Sequence, residues 1–287
     1  PYLIVANLDA SSGDNRIRAA LPVSEAELCA LMTEQLQEVD ALAWDRRREA
    51  VSARKERRLG SIVLESRPQA VADADAALEL LLEAIGRDIV QALNWTSAAR
   101  QLQARAMLAR QLQPDADWPD LSNDWLAAHI RDWLGAWLTN KTRLSDARAL
   151  DLIQVLKQIL GWQRASNLDK LAPEMLTTPA GTRRRIDYCA TISGDSPAPV
   201  LAAPMQELFG ASDTPAIFDG RLPLLLHLLS PARRPLQVTG DLAGFWRGAY
   251  AEVRKEMRGR YPKHHWPEDP AGAVPVGGGL QRHTTRA

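Results

Sequence analysis

The spacing of apolar residues changes twice along this chain, and that change constrains its architecture more than any single motif. Up to about residue 70, short apolar runs are separated by turn formers. From 73 to about 171 apolar residues recur at helical intervals, and strand-like runs then return. A period of two lines one face of a strand, and a period near 3.6 lines one face of a helix. No single sheet or bundle satisfies both, so the pattern predicts an α+β multidomain chain. The expected parts are a small OB-like β-barrel over 1–70, a helical bundle over 71–172, a mixed α/β C-terminal domain over 173–270 and a disordered Gly/Pro/Thr-rich tail over 271–287.

Local signals fill in these parts. Tyr2 to Leu8 and Arg16 to Leu21 flank the turn formers Ser11 to Asn15 and read as a hairpin. Ser24 followed by Glu27 is a capping box ahead of Leu28, Leu31 and Met32. Glu38 to Asp45, Ala50 to Ala53 and Ser61 to Leu64 read as three more strands. Helices are expected over Asp75 to Leu93, Ser97 to Leu112, Ser122 to Leu138, Ser145 to Gly161 and from Ser166, the last four opened by serine caps. Trp125, Trp133 and Trp137 fall on a broad stripe of the third helix, which marks core rather than a base-stacking platform. Hairpins are expected around Pro179-Ala180-Gly181 and Asp219-Gly220, and a helix from Asp241 to Arg260.

Catalytic chemistry has little support. No apolar run approaches the ~20 residues of a membrane span; the longest, Leu222 to Leu229, contains His227. The chain opens at Pro1 inside a β-rich run, without a signal peptide, and reads as a piece of a longer protein. Cys29 and Cys189 have no partner at ligand spacing, which suits a reducing, cytoplasmic setting. Gly135 to Thr142 approaches a phosphate-binding loop but has Asn140 where the second glycine must stand, and it follows a helix instead of a strand. His129, His227, His264 and His265 lack a neighbour that would make them ligands or bases: His129 reads as packed, and His264-His265 as a solvated loop. No catalytic residue, metal site or cofactor is assigned to these 287 residues.

Charge is more informative. The chain holds 35 basic and 35 acidic residues, yet they are segregated. Between residues 46 and 58 seven cations (Arg46, Arg47, Arg48, Arg54, Lys55, Arg57, Arg58) face two acids, and between 241 and 263 six face three; residues 65–151 carry thirteen acids against nine bases. On the final helix Arg247, Arg254 and Arg258 fall within about 40° of one another, away from Leu242, Trp246, Val253 and Met257. Such a row either tracks a phosphate backbone or forms a solvated, ion-paired face. For Arg46 to Arg58, on an OB-like barrel, single-strand binding is the favoured reading.

Several runs carry a family resemblance. Pro223 to Pro231 (PLLLHLLSP), Pro235 to Thr239 (PLQVT), Asp241 to His264 (DLAGFWRGAYAEVRKEMRGRYPKH) and Trp266 to Pro270 (WPEDP) resemble the C-terminal signature of bacterial HrpB-type DEAH-box ATP-dependent RNA helicases. Tyr2 to Asp9, Arg57 to Gly60, Trp95 to Arg105, Trp118 to Ser122, Leu171 to Pro173, Ile186 to Tyr188, Pro199 to Leu201 and Gln206 to Gly210 extend it along the chain. His265 stands where the family often has proline, and Pro204 interrupts a smoother helix start. The resemblance implies that two RecA-like domains, which bind ATP and magnesium, lie upstream in cis and are missing from this stretch. It also implies a cytoplasmic monomer whose OB-like part lines the path of single-stranded RNA. The alternative is a protein-interaction scaffold without RNA affinity of its own. Arg54→Glu with Arg57→Glu should weaken salt-sensitive RNA binding under the first reading and change nothing under the second.

Overall fold

The computed structural model describes residues 2–9, 16–192 and 194–277. The turn expected at 11–15 and residues 278–287 of the expected tail lie outside the described residues. Strands β1 (Tyr2–Asp9) and β2 (Arg16–Val23) pair antiparallel. Ser24 then opens α1 (Glu25–Leu31): its hydroxyl accepts the Glu27 amide at 3.2 Å while the Glu27 carboxylate accepts the Ser24 amide at 2.9 Å. The capping box therefore forms as the sequence predicts. Strands β3 (Leu36–Asp45), β4 (Ala50–Leu59) and β5 (Ile62–Gln69) make an antiparallel meander with β4 in the centre.

The expected barrel is not closed. Closure needs a continuous ring of strand pairs, but the described strands divide into a two-stranded ribbon and a three-stranded sheet with no ladder between them. The α+β class holds, and the described strands of the first seventy residues form two open sheets.

Helices follow: α2 (Ala74–Gly86), α3 (Ile89–Ala92) and α4 (Ser97–Leu112). Asp73 caps α2, and Thr96 rather than Ser97 caps α4. The long tryptophan helix breaks into α5 (Asn123–Ala128), α6 (Ile130–Leu134) and a 3-10 turn at Gly135–Leu138. His129 ends α5: its ring lies 4.5 Å from Trp125, nearly parallel to it, and its Nδ1 is 3.0 Å from the Trp125 carbonyl. One continuous helical stripe therefore does not exist. Trp133 is buried, Trp125 half-buried and Trp137 exposed. Next come α7 (Leu144–Arg148), α8 (Leu152–Leu160) and α9 (Trp162–Leu171). Gly161 separates the last two at φ 75°, a left-handed conformation that costs glycine little.

The remaining elements are β6 (Met175–Thr177), β7 (Arg183–Asp187), α10 (Cys189–Ile192), β8 (Val200–Pro204), β9 (Ala216–Ile217), β10 (Leu222–Pro223), β11 (Leu225–Leu229), β12 (Pro235–Thr239), α11 (Leu242–Arg247) and α12 (Tyr250–Arg260). Five of the strands form one sheet in the order β12-β11-β8-β7-β6, parallel only between β8 and β11. The hairpin expected to run from 216 to 229 is only the short β9–β10 pair. Leu225 to Leu229 instead joins the larger sheet, where the alternate residues Leu226 and Leu228 are fully buried.

Two compact units emerge, each built from separated stretches. The first contains residues 1–92 and 130–150. In it α2 packs on β3, β4 and α6, burying Leu78, Leu81, Leu82 and Ile85. At roughly 1.5–3 kcal/mol per buried aliphatic side chain, this contact outweighs the helix's own propensity. The second contains 93–129 and 151–287. There α4 packs on α8 and α9, and the fully buried Arg105 donates from Nε to the Ala172 carbonyl at 2.6 Å and pairs with Asp169 and Glu174 at 2.5 and 3.3 Å. Among the described residues no helix is long and apolar enough to cross a membrane.

Candidate nucleic-acid interface

Strand β4 holds four of the seven clustered cations, and alternation sends them to both faces of the sheet. Arg54, Glu56 and Arg58 share one face, and Lys55 and Arg57 the other. Their neighbours are acidic or polar. Arg54 donates to Ser66 Oγ at 2.6 Å and to the Ser66 carbonyl at 3.2 Å. Arg58 donates from Nε to Glu56 at 2.8 Å, and Ser66 Oγ donates to the same carboxylate at 3.1 Å. On the other face Lys55 meets Glu38 at 2.8 Å, while Arg57 meets Glu25 at 3.2 Å and Glu65 at 3.7 Å. These pairs shift titration in the matching sense. The hydrogen bond from Arg58 holds the Glu56 carboxyl low, Lys55 does the same for Glu38, and Glu38 in turn holds the Lys55 ammonium high.

The other three arginines occupy the turn between β3 and β4. Asp45 caps this turn, accepting the backbone amides of Arg47 at 2.9 Å and Arg48 at 3.1 Å. Glu49 closes it at φ 47° and forms a two-pronged ion pair with Arg148, whose hydrogen bonds are 2.6 and 3.1 Å and hold the Glu49 carboxyl low. The Val51 amide donates to the Thr142 carbonyl, and the Leu144 amide to the Glu49 carbonyl. The turn is therefore anchored on both sides while Arg46, Arg47 and Arg48 point outward, all exposed. Arg48 has only Asp45, 3.8 Å away. Among the described residues Arg46 and Arg47 have no side-chain partner.

The second basic segment is not one stripe. Gly248, at φ −112° and ψ −97°, interrupts the helix, so Arg247 ends α11 while Arg254 and Arg258 belong to α12. The continuous-helix angles do not apply to Arg247. Arg254 donates from Nε to the Trp266 carbonyl at 3.0 Å and from Nη2 to Glu268 at 3.1 Å. Arg254 and Arg258 line a cleft of about 480 Å³ with Lys263, His264, His265 and Glu268. Sequence reasoning missed Lys263 and the two histidines as members of a cluster, although Pro262, which stops the helix, was a signal that the next residues turn back beside it.

The remaining candidates take structural places. Gly135 to Leu138 is a 3-10 turn after α6, with Gly135 and Leu138 buried, and Thr142 beyond it accepts from β4. No strand precedes it and no long helix follows it, so it lacks the cradle of a phosphate loop. Neither Cys29 nor Cys189 forms a disulfide, and burial pushes the Cys189 thiol up, away from the reactive thiolate. Among the described residues no three His, Cys, Asp or Glu side chains gather at a metal-binding spacing.

Comparison with known proteins finds family matches over the stretches that contain the two basic segments. Residues 35–69 match the family described as ATP-dependent RNA helicase HrpB, connector region, and residues 133–270 match ATP-dependent helicase C-terminal. The ATP-dependent RNA helicase HrpB of Escherichia coli (strain K12) is 40% identical over 266 residues, which cover 93% of this chain and 32% of that protein. The crystal structure of the E. coli DExH-box NTPase HrpB superposes at a TM-score of 0.69 with 39% identity, covering 96% of this chain and 34% of that one. A second structure, of the Escherichia coli DEAH/RHA helicase HrpB, gives 0.60 with 34% identity over 92% of this chain and 32% of its own. The chain thus spans about a third of the length of these relatives, and it belongs to the HrpB helicase family through that family's connector and C-terminal regions.

Proposed function

We propose that this chain is the accessory region of an ATP-dependent RNA helicase, adding sequence-independent phosphate contacts to a single strand and helping to assemble or regulate the ATP-hydrolysing motor. ATP and magnesium belong to RecA-like domains upstream in cis, and the chain works as a cytoplasmic monomer with single-stranded RNA as its partner. The observation that carries the reading is the β3–β4 turn, where Arg46 and Arg47 stand exposed and unpaired on a backbone fixed by Asp45 and by the Glu49–Arg148 pair. Arginine forks on a rigid support suit phosphate oxygens, and preorganisation lowers the ordering cost of binding. The name of the E. coli relative supports RNA as the polymer.

Among the sequence candidates, Arg46, Arg47 and Arg48 are the direct contacts in this reading, with Arg247 and Arg258 outside the turn that carries it. Arg54, Lys55, Arg57, Arg58 and Arg254 are engaged within the protein and act by holding the surface in place. The test is fluorescence anisotropy of a labelled oligouridylate across a salt series. Three phosphate contacts predict a log–log slope of roughly −2. A chain without measurable affinity at low salt would be the scaffold of the alternative reading.

A further inference from the structure

We propose that the cleft between the last turns of α12 and the segment 262–268 is a phosphoryl-binding site, taking a phosphate of a nucleic-acid strand or of a nucleoside polyphosphate. It goes beyond the turn-based reading and does not depend on it. Arg258, Lys263, His264 and His265 converge on this cleft with Arg254, and among the described residues lining it Glu268 is the one carboxylate. That carboxylate already faces Arg254. Arg258 and Lys263 are exposed and have no side-chain partner among the described residues, so the cleft holds uncompensated positive charge.

The frame around these cations is fixed. Trp266 is buried and donates from Nε1 to the Tyr261 carbonyl at 3.0 Å. The Tyr250 hydroxyl donates to the Pro267 carbonyl at 2.8 Å, and Arg254 Nε holds the Trp266 carbonyl. The two imidazoles are braced edge-on, His265 against Phe209 at 6.3 Å and His264 against Tyr261 at 6.0 Å. Met257, fully buried, roots α12 below the cleft.

The chemistry selects the ligand class. A guanidinium fork, an ammonium and imidazole N–H donors converging on one space match a tetrahedral oxyanion with several acceptor oxygens. An apolar ligand would find few partners among such side chains, and a metal cation would meet like charge. Arg254 is a positioning residue, tethered to the loop backbone and neutralised in part by Glu268.

The test uses the 287-residue chain with three probes: inorganic pyrophosphate, ATP and an octauridylate. Acylation of Lys263 by an amine-reactive ester is followed by mass spectrometry, with Lys157 on α8 as the internal reference, and pyrophosphate affinity is measured by calorimetry. The expected results are protection of Lys263 but not Lys157, and about a tenfold loss of pyrophosphate affinity in Arg258→Gln, the worth of one charge-assisted hydrogen bond. Glu268→Gln should tighten binding about threefold by releasing Arg254, a gain that a purely structural cluster would not give. Protection by octauridylate alone or by ATP alone identifies the source of the phosphate. Unchanged Lys263 acylation with all three probes overturns the proposal. If the octauridylate still binds in that case, the reading built on the β3–β4 turn stands on its own.

Discussion

Strand β4 and the β3–β4 turn are adjacent in sequence and both basic, yet they use their charge in opposite ways. On the strand every cation has an acid or a hydroxyl beside it: Lys55 has Glu38, Arg57 has Glu65 and Arg54 has Ser66 across the sheet, and Arg58 has Glu56 two residues back on the same strand. On the turn Asp45 and Glu49 serve the backbone and Arg148, leaving Arg46 and Arg47 without side-chain partners among the described residues. The C-terminal segment repeats the contrast, with Arg254 tied to Glu268 and Arg258 free beside it. Charge counted along a sequence is therefore a poor measure of charge offered to a ligand. Paired cations contribute to stability, and unpaired ones are available for binding.

The comparison is sharpened first by its extreme case. Arg184 pairs with Glu207, which is fully buried, and the hydrogen bond to Glu207 raises the arginine's own pKa. Arg184→Ala would leave that carboxylate without its counter-ion, so it should destabilise the unit by about 3–5 kcal/mol, read as a lower urea midpoint, with no change in RNA affinity once folded. A smaller effect is expected on β4. Arg54→Glu with Arg57→Glu should lower stability by about 1 kcal/mol, since half-exposed pairs are worth ~0.2–1 kcal/mol each, and should weaken RNA binding less than reversal at the turn. A larger binding loss from the strand pair would break the distinction. The smallest effect is on pH dependence. Glu56, Glu38 and Glu49 are held below the ordinary carboxylate range by their cationic partners, so their stabilisation is full above that range and is lost as pH falls through the lowered folded values. Glu56→Gln should flatten the acid limb of a melting-temperature profile and leave the profile near neutrality parallel to wild type.

Local rules made much of the fold legible. The Ser24–Glu27 capping box, the helix Ser97–Leu112 and the change of apolar period all have short-range causes, and each is realised. What escaped depends on distant residues. Leu225 to Leu229 reads locally as a hairpin arm, but its buried alternation is satisfied by parallel pairing with β8, more than twenty residues earlier in the chain. The long Trp helix ends at His129, whose ring lies on Trp125, and the final helix is interrupted at Gly248, so residues placed on one stripe by arithmetic part company. The candidate site was legible in composition and not in pairing. Nothing in Arg54 or Arg57 alone tells that Ser66 and Glu65 will lie across the sheet, because register is a property of two strands.

The central claim is that the unpaired arginines of the β3–β4 turn, rather than the paired cations of the strand, carry contact with a single strand. Salt-dependent anisotropy with a labelled oligouridylate, comparing wild type with Arg46→Glu/Arg47→Glu, tests it most directly. The account predicts weaker binding and a log–log slope shallower by roughly 1.4, the loss of two phosphate contacts at about 0.7 each, with the melting temperature unchanged. An unchanged affinity and slope in that variant would contradict it.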